Sequence, residues 1–344
     1  MSFLIYPGQT VARERPVNLK RGDEYLFEKE FHRSFGNVYP ELYENVKITS
    51  NGAVMKGMPM LNLYFSRSIA FKPLTKVKRI TQYLVKTVFN LVKAKDKFRL
   101  RKVILLTDHF SYMFFHWFGD ILQKLEALEQ SVVNLEDYTF IFPDYCNTDF
   151  ARTTIKRYSI NAHFISKKEI IEAKELMYIP LITPSGNFRP ELMHRIRQRI
   201  RIENPNDNYF AKKIFITRKS APFRTIKNED ELIPILNEFG YKTVSMENLP
   251  FQKQVEVASA AEKMVSLHGA GLTHMLWMKS GADIFEIRLD QDAKNNCYFS
   301  LASDLSHKYY YLLADAANPK KTTQATDFIV DPSRLRYVLL EMEY

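Results

Sequence analysis

Cysteine is scarce: Cys146 and Cys297 are the two in 344 residues, they lie far apart, and no His/Cys cluster has metal-ligand spacing. A reducing compartment is therefore the simpler expectation, without a disulfide framework or a structural metal. No run of about 18 or more apolar residues occurs, which excludes an ordinary transmembrane helix. The first residues, MSFLIYPGQTVARERP, hold only a short apolar patch broken by Pro7 and Gly8, so neither a signal peptide nor an anchor is expected there. An Asn-x-Ser/Thr sequon is missing too, and the expected location is cytoplasmic. No Gly-x-x-x-x-Gly-Lys-Ser/Thr loop is found, which argues against a kinase-like phosphotransferase. The turn Gly269-Ala270-Gly271-Leu272-Thr273-His274 has neither glycine nor alanine in its sixth place, which argues against a nicotinamide enzyme.

What remains is a chain long enough for two domains, with 46% hydrophobic and 13% aromatic residues to bury. Its net charge of +10 is unevenly placed: between Lys76 and Lys102 there are ten Lys or Arg and one acid, Asp96. Val77, Ile80, Leu84, Val88, Leu91 and Val92 recur there at roughly helical spacing. The plain reading is an amphipathic helix packed on a core with its lysines in solvent. An anionic membrane surface, contacted through residues 76–102, is the second reading; nucleic acid is not expected, because no aromatic-basic module accompanies the charge.

Apolar runs and turn residues alternate along the chain. Short strands and turns are expected over residues 1–70, then the basic helix, a buried strand at Lys102–Leu106, a helix through Ile121–Leu128, and strands at Tyr138–Phe142, Ala162–Ile165 and Met177–Leu181. Glu203-Asn204-Pro205-Asn206-Asp207-Asn208 interrupts the pattern and suggests a domain boundary. Beyond it five strands, at Lys213–Thr217, Tyr241–Met246, before His268, Ala282–Ile287 and Tyr309–Leu313, alternate with helices, one of them capped by Asn228 and ended by Gly240. That rhythm predicts a parallel sheet covered on both faces. The expected division is an N-terminal α/β domain over 1–205, a Rossmann-like domain over 206–325, and a last helix in 326–344 packing back on the first domain.

Three groups of residues carry possible chemistry. In Met264–Ile287, MVSLHGAGLTHMLWMKSGADIFEI, an apolar strand ends in His268-Gly269-Ala270-Gly271, a helix follows, and a second strand closes on Glu286. Such a turn offers backbone N–H groups at a helix N-terminus to an anion, and a carboxylate at the end of the next strand can take a sugar hydroxyl. Arg218 and Arg224 follow the first strand of that half, at the edge where parallel sheets bind ligands, and can hold a diphosphate bidentately. His116 and Asp120 are four apart on a helix, so the carboxylate can orient the imidazole. Asp290-Gln291-Asp292 has the spacing of a metal-binding acid pair, but two neighbouring acids are commonplace and the arginines can supply the same charge.

Together HGAGLTHMLWMKSGADIFEI, ITRKSAPFRTIKNEDEL and FFHWFGDILQKLEAL resemble the pattern of glycosyltransferase family 61, in the family's order and from about Val103 to Ala314. The family includes plant xylosyltransferases, eukaryotic protein O-GlcNAc transferases and bacterial capsule or lipopolysaccharide enzymes. The resemblance implies a GT-B-like α/β fold, two Rossmann-like domains facing each other across a cleft, and inverting transfer from a nucleoside-diphosphate donor. It puts Arg218 and Arg224 on the family's arginine positions, His268, Gly269, Ala270, Gly271 and Leu272 on its HGAGL loop, Glu286 on its strand-end acid, and His116-Trp117 on its His-Trp motif. Met113 stands three before His116 where the family usually has Asn. The expectation is thus a metal-independent inverting enzyme of the capsule or lipopolysaccharide type, peripheral on the cytoplasmic membrane, using a UDP-linked sugar and a saccharide or lipid-linked acceptor. His116 or Asp120 would be the base, with Arg218, Arg224 and residues 268–272 on the donor and Glu286 on the ribose. A non-catalytic nucleotide-sugar-binding component of a polysaccharide assembly complex is the alternative.

Overall fold

A computed structural model describes residues 3–64, 73–202, 211–293 and 295–344. The chain forms two compact units, Met1–Gln9 with Phe35–Ser185, and Thr10–Ser34 with Gly186–Tyr344. The boundary expected at 205/206 lies outside the described residues. Near the N-terminus β1 (Gln9–Ala12) and β2 (His32–Phe35) form a two-stranded ribbon.

Unit 1 is built on seven strands: β3 (Glu41–Thr49), β4 (Val54–Lys56), β5 (Met58–Pro59), β6 (Asp96–Leu105), β7 (Thr139–Phe142), β8 (Asn161–Phe164) and β9 (Glu169–Tyr178). They lie in the order β5-β4-β3-β9-β6-β7-β8. Parallel pairing joins β6 to β7 and β9, and β7 to β8, whereas β3 runs antiparallel to β9. Val103, Leu105, Ile141, Ile171 and Leu176 fill the core between these strands. Around the sheet are α1 (Pro73–Lys93), a single helical turn Phe114–His116, a wider π-turn Trp117–Ile121 continuing into α2 (Leu122–Glu129), and α3 (Asp149–Ile155). The Thr148 side chain accepts from Ala151 N and caps α3.

The basic stretch departs from expectation. It is a helix only to Lys93; from Asp96 it is the outer half of β6, where Lys97, Arg99 and Arg101 are exposed. β7 pairs with β6 only over Val103–Leu105, so the earlier residues of β6 have one strand neighbour and their side chains reach water.

Unit 2 holds α4 (Pro190–Ile200), β10 (Lys213–Ile216), α5 (Glu229–Glu238), β11 (Lys242–Val244), α6 (Phe251–Ala260), β12 (Lys263–Leu267), a 3₁₀ helix Ala270–Trp277, β13 (Asp283–Leu289), α7 (Cys297–Asp304), β14 (Lys308–Ala316), β15 (Phe328–Ile329) and α8 (Pro332–Glu341). The sheet order is β11-β10-β12-β13-β14-β15, and β10 to β14 are all parallel. Every residue of β13 is buried, as a strand covered on both faces must be. The parallel sheet expected for this half is therefore present.

The last helix, α8, packs Leu335, Val338 and Leu339 into the core of unit 2 with Leu232, Leu236 and Leu312, where its apolar stripe completes the cover of that sheet. Two local expectations are corrected. Asn228 stands before α5 but does not cap it: its amide exchanges hydrogen bonds with the Val330 backbone and ties the helix to β15. The segment after the His-Gly-Ala-Gly turn is a tighter 3₁₀ helix rather than an α-helix. Gly240 ends α5 as expected, with φ +80° and its N–H on Asn237 O.

Candidate active site

In unit 2 the ends of β10 and β12 bring the arginine loop onto the glycine turn. Thr217, just past β10, donates to Glu229 Oε1 at 2.6 Å and accepts from Lys219 N at 3.0 Å. At the far end of the loop, Thr225 donates to Asp327 Oδ1 from both N and Oγ1, at 3.0 and 3.1 Å. Between these anchors Arg224 takes φ +56°, a left-handed conformation that costs a non-glycine residue roughly 1–2 kcal/mol. Arg218 Nε donates to the Arg224 carbonyl at 3.3 Å. The loop is thus closed on itself and fastened at both ends, which is how strain of this kind persists.

Both guanidinium groups lie over Gly269. A Cβ built there would stand 3.1 Å from Arg218 Nη1 and 3.1 Å from Arg224 Nη2. With φ 162°, Gly269 is extended backbone open to any residue, so the requirement is room rather than torsion. At Gly271 a Cβ would meet Ile216 Cγ2 at 3.1 Å and Ser266 Oγ at 3.3 Å, so this glycine lets the turn sit against β10 and β12. Leu272 is buried beneath them. The first N–H groups of a helix have no acceptor within it, and here they begin at Ala270. Burial, and then the charge of Arg224, pulls Arg218 below the ordinary guanidinium value. Neither arginine has a carboxylate within ion-pair distance among the described residues. Two cations beside the first amides of a helix, at the carboxyl edge of a parallel sheet, can hold a diphosphate.

Glu286 is not where the sequence expectation put it. β13 runs on to Leu289, so Glu286 is mid-strand and fully buried. Its carboxylate accepts from His268 Nδ1 and from the Tyr309 hydroxyl, and Arg288 adds a buried charge nearby. Burial alone would raise Glu286; the charges of His268 and Arg288 and the two hydrogen bonds outweigh it and hold the carboxyl below its usual range. The carboxylate is thus enclosed and already holds two partners. On the other side of the ring, Asn295 Nδ2 lies 3.1 Å from His268 Nε2 and 3.3 Å from Asp292 Oδ2, while the Tyr298 ring packs edge-on at 5.0 Å. With Nδ1–H given to Glu286, the imidazole is pinned at the mouth of the glycine turn.

Unit 1 holds the second cluster. His116 Nδ1 is 2.8 Å from Asp120 Oδ2, and Ser185 Oγ donates to the same oxygen at 3.1 Å and lies 3.3 Å from Nδ1. The intervening π-turn carries His116 and Asp120 on one face. Their exposure separates their roles: the His116 side chain keeps 20% of its surface and Asp120 only 1%. The imidazole is reachable by a ligand; the carboxylate is an internal support for it. Trp117, its neighbour in the motif, is a core residue with Nε1 on Thr154 Oγ1 at 2.9 Å.

Sequence reasoning missed Ser185, Tyr309 and Asn295. Ser185 lies in an ordinary turn, Thr183-Pro184-Ser185-Gly186, 65 residues from Asp120, with no motif to mark it. Tyr309 meets Glu286 because β13 and β14 pair Glu286 with Tyr311, which places Tyr309 diagonally on the same face. Only the strand register reveals that contact.

The family model for Glycosyltransferase 61 matches residues 114–285, half of the chain. The chain belongs to glycosyltransferase family 61. That match takes in the His116 cluster, the arginine loop and the His268–Leu272 turn, and stops one residue before Glu286. Among curated proteins, the chain is similar to the EGF domain-specific O-linked N-acetylglucosamine transferase of Drosophila melanogaster, 33% identical over 121 residues, which are 34% of this chain and 22% of the relative. The Mus musculus protein of the same name is 31% identical over 134 residues, 36% of this chain and 24% of the relative. The likeness to these relatives thus spans less than a quarter of their length.

Proposed function

We propose that this protein transfers a sugar from a nucleoside-diphosphate donor to an acceptor hydroxyl with inversion, by a single in-line displacement. The observation that carries the reading is the pair of guanidinium groups converging on Gly269 beside the amides of Ala270 and Gly271. In such a displacement negative charge grows on the departing diphosphate, and fixed cations there stabilise the transition state more than the ground state. Arg218, Arg224 and the turn take that role without a metal ion. His268, held by Glu286 and Asn295, borders the turn and fixes its shape. The acceptor proton goes to His116, whose Nδ1 is held by Asp120 and Ser185; Asp120 orients the ring rather than acting as the base. The proposed reaction requires both clusters to serve one donor and one acceptor, as the GT-B resemblance implies.

The donor we propose is UDP-linked, with N-acetylglucosamine first in line because the relatives' names carry that sugar. For the acceptor we propose a saccharide of the capsule or lipopolysaccharide class, free or lipid-linked, in a cytoplasmic setting. A protein acceptor is the second reading, favoured by the relatives' names, which specify EGF domains. Incubation with UDP-, GDP-, CMP- and dTDP-linked sugars against saccharide, lipid-linked and folded EGF-domain acceptors tests it. Transfer from a UDP-sugar that persists in EDTA supports the whole reading. UDP binding without hydrolysis or transfer to any acceptor favours a binding component, and activity lost in EDTA and restored by manganese removes the metal-independent mechanism.

A further inference from the structure

In unit 1, α1 is amphipathic in an unusual sense. The face it packs inward is mixed: Tyr83 and Thr87 are buried beside half-buried Ile80, Leu84 and Leu91, Asn51 Nδ2 donates to Thr87 Oγ1 at 3.0 Å, and Asn90 Nδ2 donates to Asn51 Oδ1 at 2.8 Å. The face it shows is apolar. Val77, Val85, Val88, Phe89 and Val92 fall on one stripe, and each is between 53% and 79% exposed. An apolar stripe of that length on a helix clasped from behind by an asparagine is not a core face turned the wrong way, because the clasp fixes which side faces out.

At the C-terminal end of the stripe lies a cavity of about 730 Å³, lined by Phe89 and Val92 together with Lys86, Lys93, Lys95, Lys167 and Lys168. Asp144 is its one acidic wall, and of the five lysines only Lys167 has a carboxylate within 4 Å among the described residues, Asp144 at 3.9 Å. The frame is held by backbone: Lys95 N and Asp96 N both donate to Lys168 O, at 2.8 and 3.1 Å. Lys93 Nζ sits 4.2 Å above the Phe89 ring, so charge and apolar surface are presented side by side.

We propose that α1 and this lysine cavity seat unit 1 on an anionic lipid bilayer, with the valine and phenylalanine stripe in the acyl boundary and the lysines on lipid phosphates. A soluble polyanion would use the lysines but leave the stripe idle; a neutral apolar partner would use the stripe but leave unpaired lysines to be desolvated. An anionic bilayer satisfies both at once, since lysine stems lie along apolar surface while their ammonium groups reach the headgroups. This surface is separate from the residues that handle donor and acceptor, and vesicle binding is read without either.

The test is co-sedimentation of the full chain with phosphatidylcholine vesicles and with vesicles containing phosphatidylglycerol, at low and high salt. The protein is expected on the anionic vesicles. Lys86→Gln with Lys93→Gln and Lys168→Gln lowers that partitioning on the order of a hundredfold, about fivefold for each charge near the surface. Val88→Ser with Phe89→Ser and Val92→Ser lowers it about tenfold or more, and does so at high salt as well. All six substituted positions are exposed, and unchanged thermal melting of both variants shows that the fold is kept. Equal binding to the two vesicle types, binding insensitive to either triple variant, or heparin competing fully while the serine variant binds as the parent does, each overturns the proposal.

Discussion

At the residue scale, the requirement at Gly269 is for room. Gly269→Ala places a methyl group 3.1 Å from both guanidinium groups, so one arginine must move, while the extended backbone there tolerates alanine. UDP affinity is expected to fall about tenfold by calorimetry, with melting nearly unchanged; unchanged affinity would show that the arginines do not act from this position. His116→Ala is expected to lower kcat by about 10²–10⁴-fold while leaving the KM for donor in place, the magnitude general bases supply. Ser185→Ala keeps the imidazole and the carboxylate, and should cost a smaller factor, below that of His116→Ala. Near-normal turnover of His116→Ala would move the base elsewhere. Glu286→Gln keeps the shape of the buried site but removes the charge that His268 and Tyr309 share. It is expected to lower stability by about 1–3 kcal/mol, seen in urea denaturation, since buried hydrogen bonds to charged groups are lost.

Among the elements, α4 shows how the turn is held rigid. Arg197 donates to Leu276 O at 3.2 Å, to Ser280 Oγ at 2.6 Å and to Leu305 O at 3.1 Å, fastening the end of the 3₁₀ helix and the end of α7 to one buried side chain. Arg197→Ala leaves those acceptors unpaired in the interior, and a loss of about 3 kcal/mol in denaturant-derived stability is expected; a loss below 1 kcal/mol would contradict the clamp. Much of this half was legible in the sequence. Apolar runs such as Lys213–Ile216 and Asp283–Leu289 have the length and composition of buried parallel strands, and the glycine turn stands out between them. What was not legible depends on register and partners. Glu286 looked like a strand end because Arg288 reads as polar, yet Arg288 is buried and bonded to the carbonyls of Ala293 and Asn295, which extends β13. Likewise the valines of α1 looked like core spacing, because periodicity reports one apolar face and does not say whether that face turns inward.

For the molecule as a whole, buried histidines set the response to acid. His274 and His307, both in unit 2, are held down at about 4 and about 3, first by burial, and in His307 also by the Arg197 charge. Unfolded, each titrates near 6.5. Their contribution is therefore present above pH 6.5 and is lost as pH falls toward the folded values, because the unfolded chain takes up protons that the fold refuses. Asp304 acts in the opposite sense: burial raises it to about 6 from 3.8 despite its bonds to Arg13, so its contribution is present at low pH and lost as pH rises through 6. Between pH 7 and pH 5 the two histidines cost roughly 4 kcal/mol and Asp304 offsets about 1. The melting temperature of unit 2 should fall by about 5–10 °C over that range; a rise would contradict the account. Charge is also partitioned across the chain, since ten of its Lys and Arg residues stand between Lys76 and Lys102 in unit 1, nine of them on α1 and the open half of β6 and Lys95 between the two.

In the proposed reaction Arg218 and Arg224, gathered over Gly269, bind the diphosphate of a nucleotide sugar, and His116 serves the acceptor. Calorimetric titration of UDP into the parent protein, the Arg218→Ala/Arg224→Ala variant and the His116→Ala variant tests it most directly. UDP binding is expected to weaken at least about a hundredfold in the arginine variant, consistent with two charge-assisted contacts, and to be unchanged in the histidine variant. UDP bound equally well by the arginine variant, or lost with His116, would contradict it.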